Sequence, residues 1–132
     1  MTGPATAYLW VALGGALGSM ARYGAARLAA RLIDGTFPWS TMFVNVLGSL
    51  LIGFLAGVMS PDGRFTVAPD ARAFLLIGVL GGFTTFSSFS LETLNMLRDG
   101  EWLWAGANVA GSILLCIMAV WLGHAAAVAL PR

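Results

Sequence analysis

The chain has 132 residues, of which 58% are hydrophobic and only 10% are charged. A soluble domain carries roughly 25% charged residues, so this chain has too few to cover a water-facing surface on every side. The composition excludes an ordinary soluble protein and favours an all-α integral membrane protein whose remaining surface faces lipid. The sequence has no basic cluster of the kind that would favour a nucleic-acid partner.

Long uncharged stretches predict four transmembrane helices in one domain that covers residues 1–132. A helix needs about 20 apolar residues to cross a bilayer. In chain order, the spans are expected at about 7–27, 39–59, 74–96 and 103–127. A cleavable signal peptide is the alternative for the first span. It would begin with basic residues, and residues 1–21 contain none.

The first span combines close-packing glycines with a single arginine near its end. Gly14 and Gly18 are four positions apart, a spacing that lets two helix backbones approach closely. Arg22 lies beyond them and can extend its charged group toward water.

Polar side chains recur at every fourth position in the second and fourth spans. The stripes are Thr41, Asn45 and Ser49 in the second span, and Asn108, Ser112 and Cys116 in the fourth. Each stripe lies on one helix face. Hydrogen bonds between helices would explain one stripe, at about 0.6–2 kcal/mol per bond. Two stripes in so short a chain favour a polar pathway between the helices.

The third span is expected to be broken near its middle, where it contains Gly81 and Gly82 followed by a run rich in Thr, Ser and Phe. Non-helical backbone at membrane depth is tolerated only when it is buried in protein or lines a water-filled cavity. The carbonyls that end the first half would attract a cation, and the N–H groups that begin the second half would attract an anion. The alternative is a kinked but continuous helix whose hydroxyls bond back to the preceding turn.

Phe86 and Phe89 lie three positions apart within this run, on one side of a helical turn. Packing is the ordinary role of phenylalanine in a membrane. An aromatic ring nevertheless has a positive edge, which can contact an anion without trapping it as a full charge would. The pair is therefore compatible with anion passage.

Catalytic chemistry has little support, so the sequence predicts that the chain is not an enzyme. Glu92 is the only carboxylate inside a span, and His124 lies near the end of the fourth span. Cys116 is the only cysteine, which excludes an internal disulfide and a cysteine-based zinc site.

Basic residues are divided evenly between the two sides of a four-span protein. One side holds Arg64, Arg72 and Arg132, and the other holds Arg27, Arg31 and Arg98, with Arg22 as a possible fourth. An excess of basic residues on one side sets the orientation of a membrane protein. Because the two sides are nearly equal here, the count predicts almost no preferred orientation. A single weakly biased orientation is one reading. We favour dual topology, in which copies insert both ways and pair as an antiparallel homodimer.

Three segments resemble the motifs of the Fluc/CrcB family of fluoride channels. The run Gly81-Gly82-Phe83-Thr84-Thr85-Phe86-Ser87-Ser88-Phe89 resembles the signature of the third helix. Residues 14–23 are similar to the first-helix motif, and residues 38–48 are similar to the second. The resemblance covers nearly the whole chain in order.

This resemblance implies a fluoride-selective channel that exports fluoride passively from bacteria, working in the inner membrane as an antiparallel dimer with two pores. The expected anion pathway comprises Asn45, Phe86, Phe89, Ser112, Thr41, Thr85 and Arg22. Asn45 would donate an amide N–H, and Arg22 would raise the local anion concentration in a vestibule. The backbone carbonyls of Gly81 and Thr84 would hold a structural sodium ion at the dimer interface. Cys116 departs from the family pattern, which has a hydroxyl residue there.

Two other functions compete with this interpretation. A small multidrug-type exporter is also a four-helix dual-topology dimer, but it needs a carboxylate in its first helix, and residues 1–21 contain neither Asp nor Glu. A non-transporting membrane scaffold would not need the hydroxyl-rich third span.

Overall fold

The computed structural model describes residues 3–33, 35–63 and 65–131, and this part of the chain is all-helical, without a strand. Four helices follow one another: α1 (Pro4–Leu32), α2 (Trp39–Val58), α3 (Pro69–Arg98) and α4 (Trp102–Val128). The prediction of four helices is confirmed. Arg64 and Arg132, which entered the charge count, lie outside the described residues.

Three of the helices, α2, α3 and α4, are long and apolar enough to cross a membrane. The first helix does not reach the same apolar content, because glycines and arginines interrupt its Leu and Ala residues. Its role as a fourth span therefore stays a prediction.

The helix α3 consists of two helical halves. The first half, α3a, covers residues 69–83, and its hydrogen bonding over Ala73–Leu80 is of the wider π type. The second half, α3b, is Phe86–Arg98. Between them, Thr84 and Thr85 have extended backbone dihedrals. The interruption directly follows the glycine pair in the sequence.

Glycines allow the helices to pack backbone to backbone. A β-carbon at Gly18 on α1 would collide with the carbonyl oxygen of Val79 on α3a, and one at Gly53 on α2 would collide with that of Val120 on α4. The pairs α1–α3a and α2–α4 are thus in close contact, and α3b packs against α4. The interruption in α3 lies between these pairs, where α1 and α2 can both reach it.

Candidate functional site

The site is built around the two extended residues of α3. Thr84 has φ −83° and ψ 159°, and Thr85 has φ −152° and ψ 113°. Thr84 still donates its N–H to the Leu80 carbonyl oxygen, four residues earlier, but the N–H of Thr85 leaves this helical pattern and donates to a side chain. The backbone groups around them therefore need other partners or stay free.

Asn45 on α2 satisfies both backbone groups of Thr85. Its Nδ2 donates to the Thr85 carbonyl oxygen at 3.0 Å, and its Oδ1 accepts from the Thr85 N–H at 2.7 Å. This paired arrangement imitates the hydrogen bonding between neighbouring strands. It fixes the extended conformation and leaves Asn45 with one further amide N–H to donate.

Thr85 also begins the second half-helix. Its Oγ1 accepts from the Ser88 N–H at 3.2 Å, which is an ordinary N-terminal cap. The same oxygen lies 3.0 Å from Ser88 Oγ and 3.3 Å from Ser87 Oγ. A cluster of three hydroxyls therefore occupies the start of α3b, where the helix dipole presents partial positive charge.

The end of α3a is held by a different set of contacts. The N–H and the Oγ1 of Thr84 both donate to the Leu80 carbonyl oxygen at 3.0 Å. Arg22 on α1 donates from Nε to the Gly82 carbonyl oxygen at 3.1 Å. The N–H groups of Thr85 and Ser88, which in a continuous helix would donate to the carbonyls of Gly81 and Thr84, donate instead to Asn45 Oδ1 and Thr85 Oγ1.

Phe86 and Phe89 form a ring pair at the start of α3b. Their centroids are 5.2 Å apart and their planes are inclined by 47°. Phe86 is 77% exposed, whereas Phe89 is 8% exposed. The pair therefore reaches from the protein surface into the interior.

A cavity of about 390 Å³ brings most of the predicted site residues together. Five of the predicted pathway residues line it, together with both residues of the predicted cation site. The seven are Asn45, Thr85, Phe86, Phe89, Ser112, Gly81 and Thr84. Ser49 and Cys116, from the two polar stripes, also line this cavity.

Thr41 and Arg22 do not line this cavity. Thr41 is buried, and its Oγ1 donates to Glu92 Oε1 at 2.7 Å. The other carboxylate oxygen, Oε2, is buried and has no hydrogen-bond partner in the described part of the chain. Glu92 borders a separate depression beside Trp39 and Ser40. Sequence spacing gave no signal for this Thr41–Glu92 pair, because the partners lie on different helices.

Asn108 does not line the cavity and instead links α4 to α3b. It is only 1% exposed, and its Nδ2 donates to Thr93 Oγ1 at 2.9 Å. Thr93 in turn donates to the Phe89 carbonyl oxygen at 2.7 Å. Ser112 Oγ donates to Asn108 Oδ1 at 3.4 Å. The fourth-span stripe thus ties α4 to α3b at one end and faces the cavity at the other.

Among the described residues, no group of three or more His, Cys, Asp or Glu side chains is placed to hold a metal ion. The carbonyls of Gly81 and Thr84, whose usual helical N–H partners bond elsewhere, offer ligands for a different kind of site. Backbone carbonyl oxygen suits hard monovalent cations, as it does in ion-channel filters. Two such oxygens per chain are too few for a complete shell, so the residues fit a sodium ion only if further ligands come from elsewhere.

Comparison with known proteins shows the family of the chain. The chain matches the family model described as "CrcB-like protein, Camphor Resistance (CrcB)" over residues 9–124. It is 59% identical over 123 residues to the "Fluoride-specific ion channel FluC" of Opitutus terrae, covering 93% of each chain. Proteins of the same name from Methylocella silvestris and Paramagnetospirillum magneticum are each 52% identical over 125 residues. The match covers 95% of this chain in both cases, and 95% and 98% of those relatives.

These relatives are bacterial ion channels by name, and three helices of this chain are of membrane-crossing length and composition. The chain is therefore an integral protein of the bacterial inner membrane.

Proposed function

Because this chain belongs to the CrcB family, we propose that it is a fluoride-selective channel that exports fluoride passively and so protects the cell from fluoride toxicity. The family is one of ion channels, and the chain is not an enzyme. The observation that carries the proposal is the cavity that combines amide, hydroxyl and phenylalanine groups beside the interruption of α3. The names of the relatives support fluoride as the transported ion.

The donors at this cavity suit a small, strongly hydrated anion. Asn45 keeps one further amide N–H. The hydroxyls of Ser112 and Thr85, which donate to Asn108 and Ser88, would rotate to donate to an anion. Phe86 and Phe89 contribute positive ring edges. Several weak donors along one path replace the water shell of the ion without a fixed charge to trap it. Conduction needs such binding, which is favourable but easily reversed.

We further propose that two copies pair antiparallel. Ser87 and Ser90 on α3b are exposed, and Phe86 beside them is 77% exposed. The Ser90 hydroxyl is satisfied by the Phe86 carbonyl oxygen at 2.9 Å, but the polar cavity beside Phe86 would be costly against hydrocarbon, so this face favours a protein cover. A second copy is the cover that we propose, because the even division of arginines lets copies insert in both orientations.

A sodium ion is the proposed structural cofactor of this dimer. Gly81 is exposed and lines the same cavity as Phe86. The N–H groups that would bond its carbonyl and that of Thr84 in a continuous helix donate elsewhere. Two copies that meet at this point would together provide four carbonyl oxygens. When bound, the ion would supply positive charge that neutralises the two carbonyl ends.

The competing functions lack support in the residues. A small multidrug-type exporter would need a carboxylate on the first helix, and the sequence of α1 contains neither Asp nor Glu. A membrane scaffold would have no use for a polar cavity beside an interrupted helix.

Ion efflux from liposomes tests the proposed function. Vesicles that contain the purified protein and are loaded with fluoride should release it, whereas chloride-loaded vesicles should retain chloride. Protein-free vesicles provide the control for leakage. Equal release of both anions would reject selectivity, and no release of fluoride from vesicles that contain folded protein would reject the channel.

A further inference from the structure

Arg22 contacts the carboxyl end of α3a, directly before the interruption. Its Nε donates to the Gly82 carbonyl oxygen at 3.1 Å, and the side chain is half-buried. In an uninterrupted helix, that carbonyl would accept from the N–H of Phe86, four residues later. The extended residues Thr84 and Thr85 remove this donor. Arg22 therefore replaces a hydrogen bond that the interruption takes away.

We propose that Arg22 is a positioning residue for the interrupted helix, and not simply a positive charge that attracts anions to a vestibule. It holds the carboxyl end of α3a against α1, and thereby orients the peptide groups on either side of Gly82. The inference rests on the proposed channel function, because Gly81 and Thr84, the proposed cation ligands, flank this carbonyl.

The packing of α1 against α3a makes such positioning possible. A β-carbon on Gly82 would lie 2.6 Å from the carbonyl oxygen of Gly15 and 3.1 Å from the backbone nitrogen of Ser19. The two backbones therefore touch at Gly82 itself. Ser19 and Arg22 are three positions apart and share one face of α1. Arg22 thus reaches Gly82 from a helix that cannot move away without opening this contact.

The charge of Arg22 also suits its position. The last carbonyls of a helix carry partial negative charge, and a cation at this end stabilises it. The Nε–H satisfies one of these carbonyls, while the two terminal nitrogens take part in none of the hydrogen bonds described for this site. One side chain can thus fix the backbone through Nε and still present charge to water.

Three substitutions of Arg22 distinguish the effect of its Nε–H donor from the effect of its positive charge. Glutamine carries an N–H donor, Nε2, at the same number of bonds from Cα as the arginine Nε, and it is neutral. Lysine keeps the charge but has a methylene at that point in the chain. Methionine has a methyl group there, with neither donor nor charge. If Arg22 positions Gly82, Arg22→Gln should retain about tenfold more fluoride efflux per folded protein than Arg22→Lys or Arg22→Met, because small misplacements of a site cost large factors in rate. If Arg22 acts only as a charge, Arg22→Lys should be the most active of the three.

Amide hydrogen exchange provides a second readout that does not depend on transport. In the solubilised protein, peptides covering residues 83–89 should exchange faster in Arg22→Met and Arg22→Lys than in Arg22→Gln. Equal exchange in all three variants, or an efflux order that follows charge, would overturn the inference. Absence of fluoride efflux from the unsubstituted protein would instead reject the channel function, and the exchange order would still decide the role of Arg22.

Discussion

At the scale of single residues, the two phenylalanines of α3b differ in their surroundings although they touch each other. Phe86 is exposed and Phe89 is buried, with 5.2 Å between their centroids. Both line the cavity that Asn45 and Ser112 also border. If their ring edges contact the anion, replacing either ring by an aliphatic side chain of similar volume should lower the rate of transport.

Replacing either ring by isoleucine tests this role. Phe86→Ile and, separately, Phe89→Ile keep apolar bulk but remove the positive ring edge. We expect each to lower fluoride efflux by about fivefold, since an aromatic contact contributes on the order of 1 kcal/mol. Efflux is measured in liposomes and divided by the amount of folded protein.

A role in packing alone predicts a different pattern for the same variants. The fold would then lose stability, most of all in Phe89→Ile because Phe89 is buried, and efflux per folded protein would stay normal. Phe83→Ile is a control in the same run, because Phe83 does not line the cavity. Near-normal efflux in both test variants would mean that the rings serve only as core.

The position of Asn45 could be predicted from the sequence, but its contacts could not. The spacing of Thr41, Asn45 and Ser49 placed three polar groups on one face of α2. It could not reveal that Asn45 pairs with the backbone of Thr85, 40 positions away, because that contact depends on how α2 and α3 pack. The same limit applies to the bond between Thr41 and Glu92.

At the scale of elements, glycine determines how closely α2 and α4 approach. A β-carbon on Gly123 of α4 would collide with the carbonyl oxygen of Leu50 on α2 and lie 2.9 Å from the backbone nitrogen of Phe54. Gly106 is in the same helix, and a β-carbon there would meet nothing within 4 Å. The two glycines therefore offer a matched comparison.

Substituting alanine at each of these glycines separates packing from helix propensity. Gly123→Ala should destabilise the protein by about 1–3 kcal/mol, because backbone atoms cannot rotate away from the added methyl group. Gly106→Ala should be neutral or stabilising by up to about 1 kcal/mol, as expected for alanine in an open helix position. Thermal unfolding in detergent measures both. A loss of stability in Gly106→Ala as large as that in Gly123→Ala would contradict the packing argument.

The elements themselves were largely readable from the sequence, since uncharged stretches of membrane length leave few alternatives to helices. The glycine pair beside a hydroxyl-rich run also marked the region where the backbone of α3 becomes extended. The π-type hydrogen bonding over Ala73–Leu80 had no such signal. Its residues are uniformly apolar or small, so their spacing favours neither α nor π turns.

At the scale of the whole molecule, the described chain leaves polar groups on a face that no part of it covers. Ser87 and Ser90 are exposed on α3b, and the cavity opens beside Phe86. An antiparallel partner would cover this face and duplicate the pathway. It would also bring the proposed cation ligands of two chains together at one point.

The location of a C-terminal tag tests this arrangement in cells. If copies insert in both orientations, an impermeant reagent that reaches only the outer face should label about half of the tags, and disrupting the membrane should expose the rest. Adding basic residues to the loop between α3 and α4 should shift every copy to one orientation. That variant alone should then lose fluoride efflux, because no antiparallel partner is present, and coexpression with a variant biased the other way should restore it. Finding every tag of the unmodified protein on one face would reject dual topology, and full efflux from a single-orientation variant would reject the antiparallel dimer.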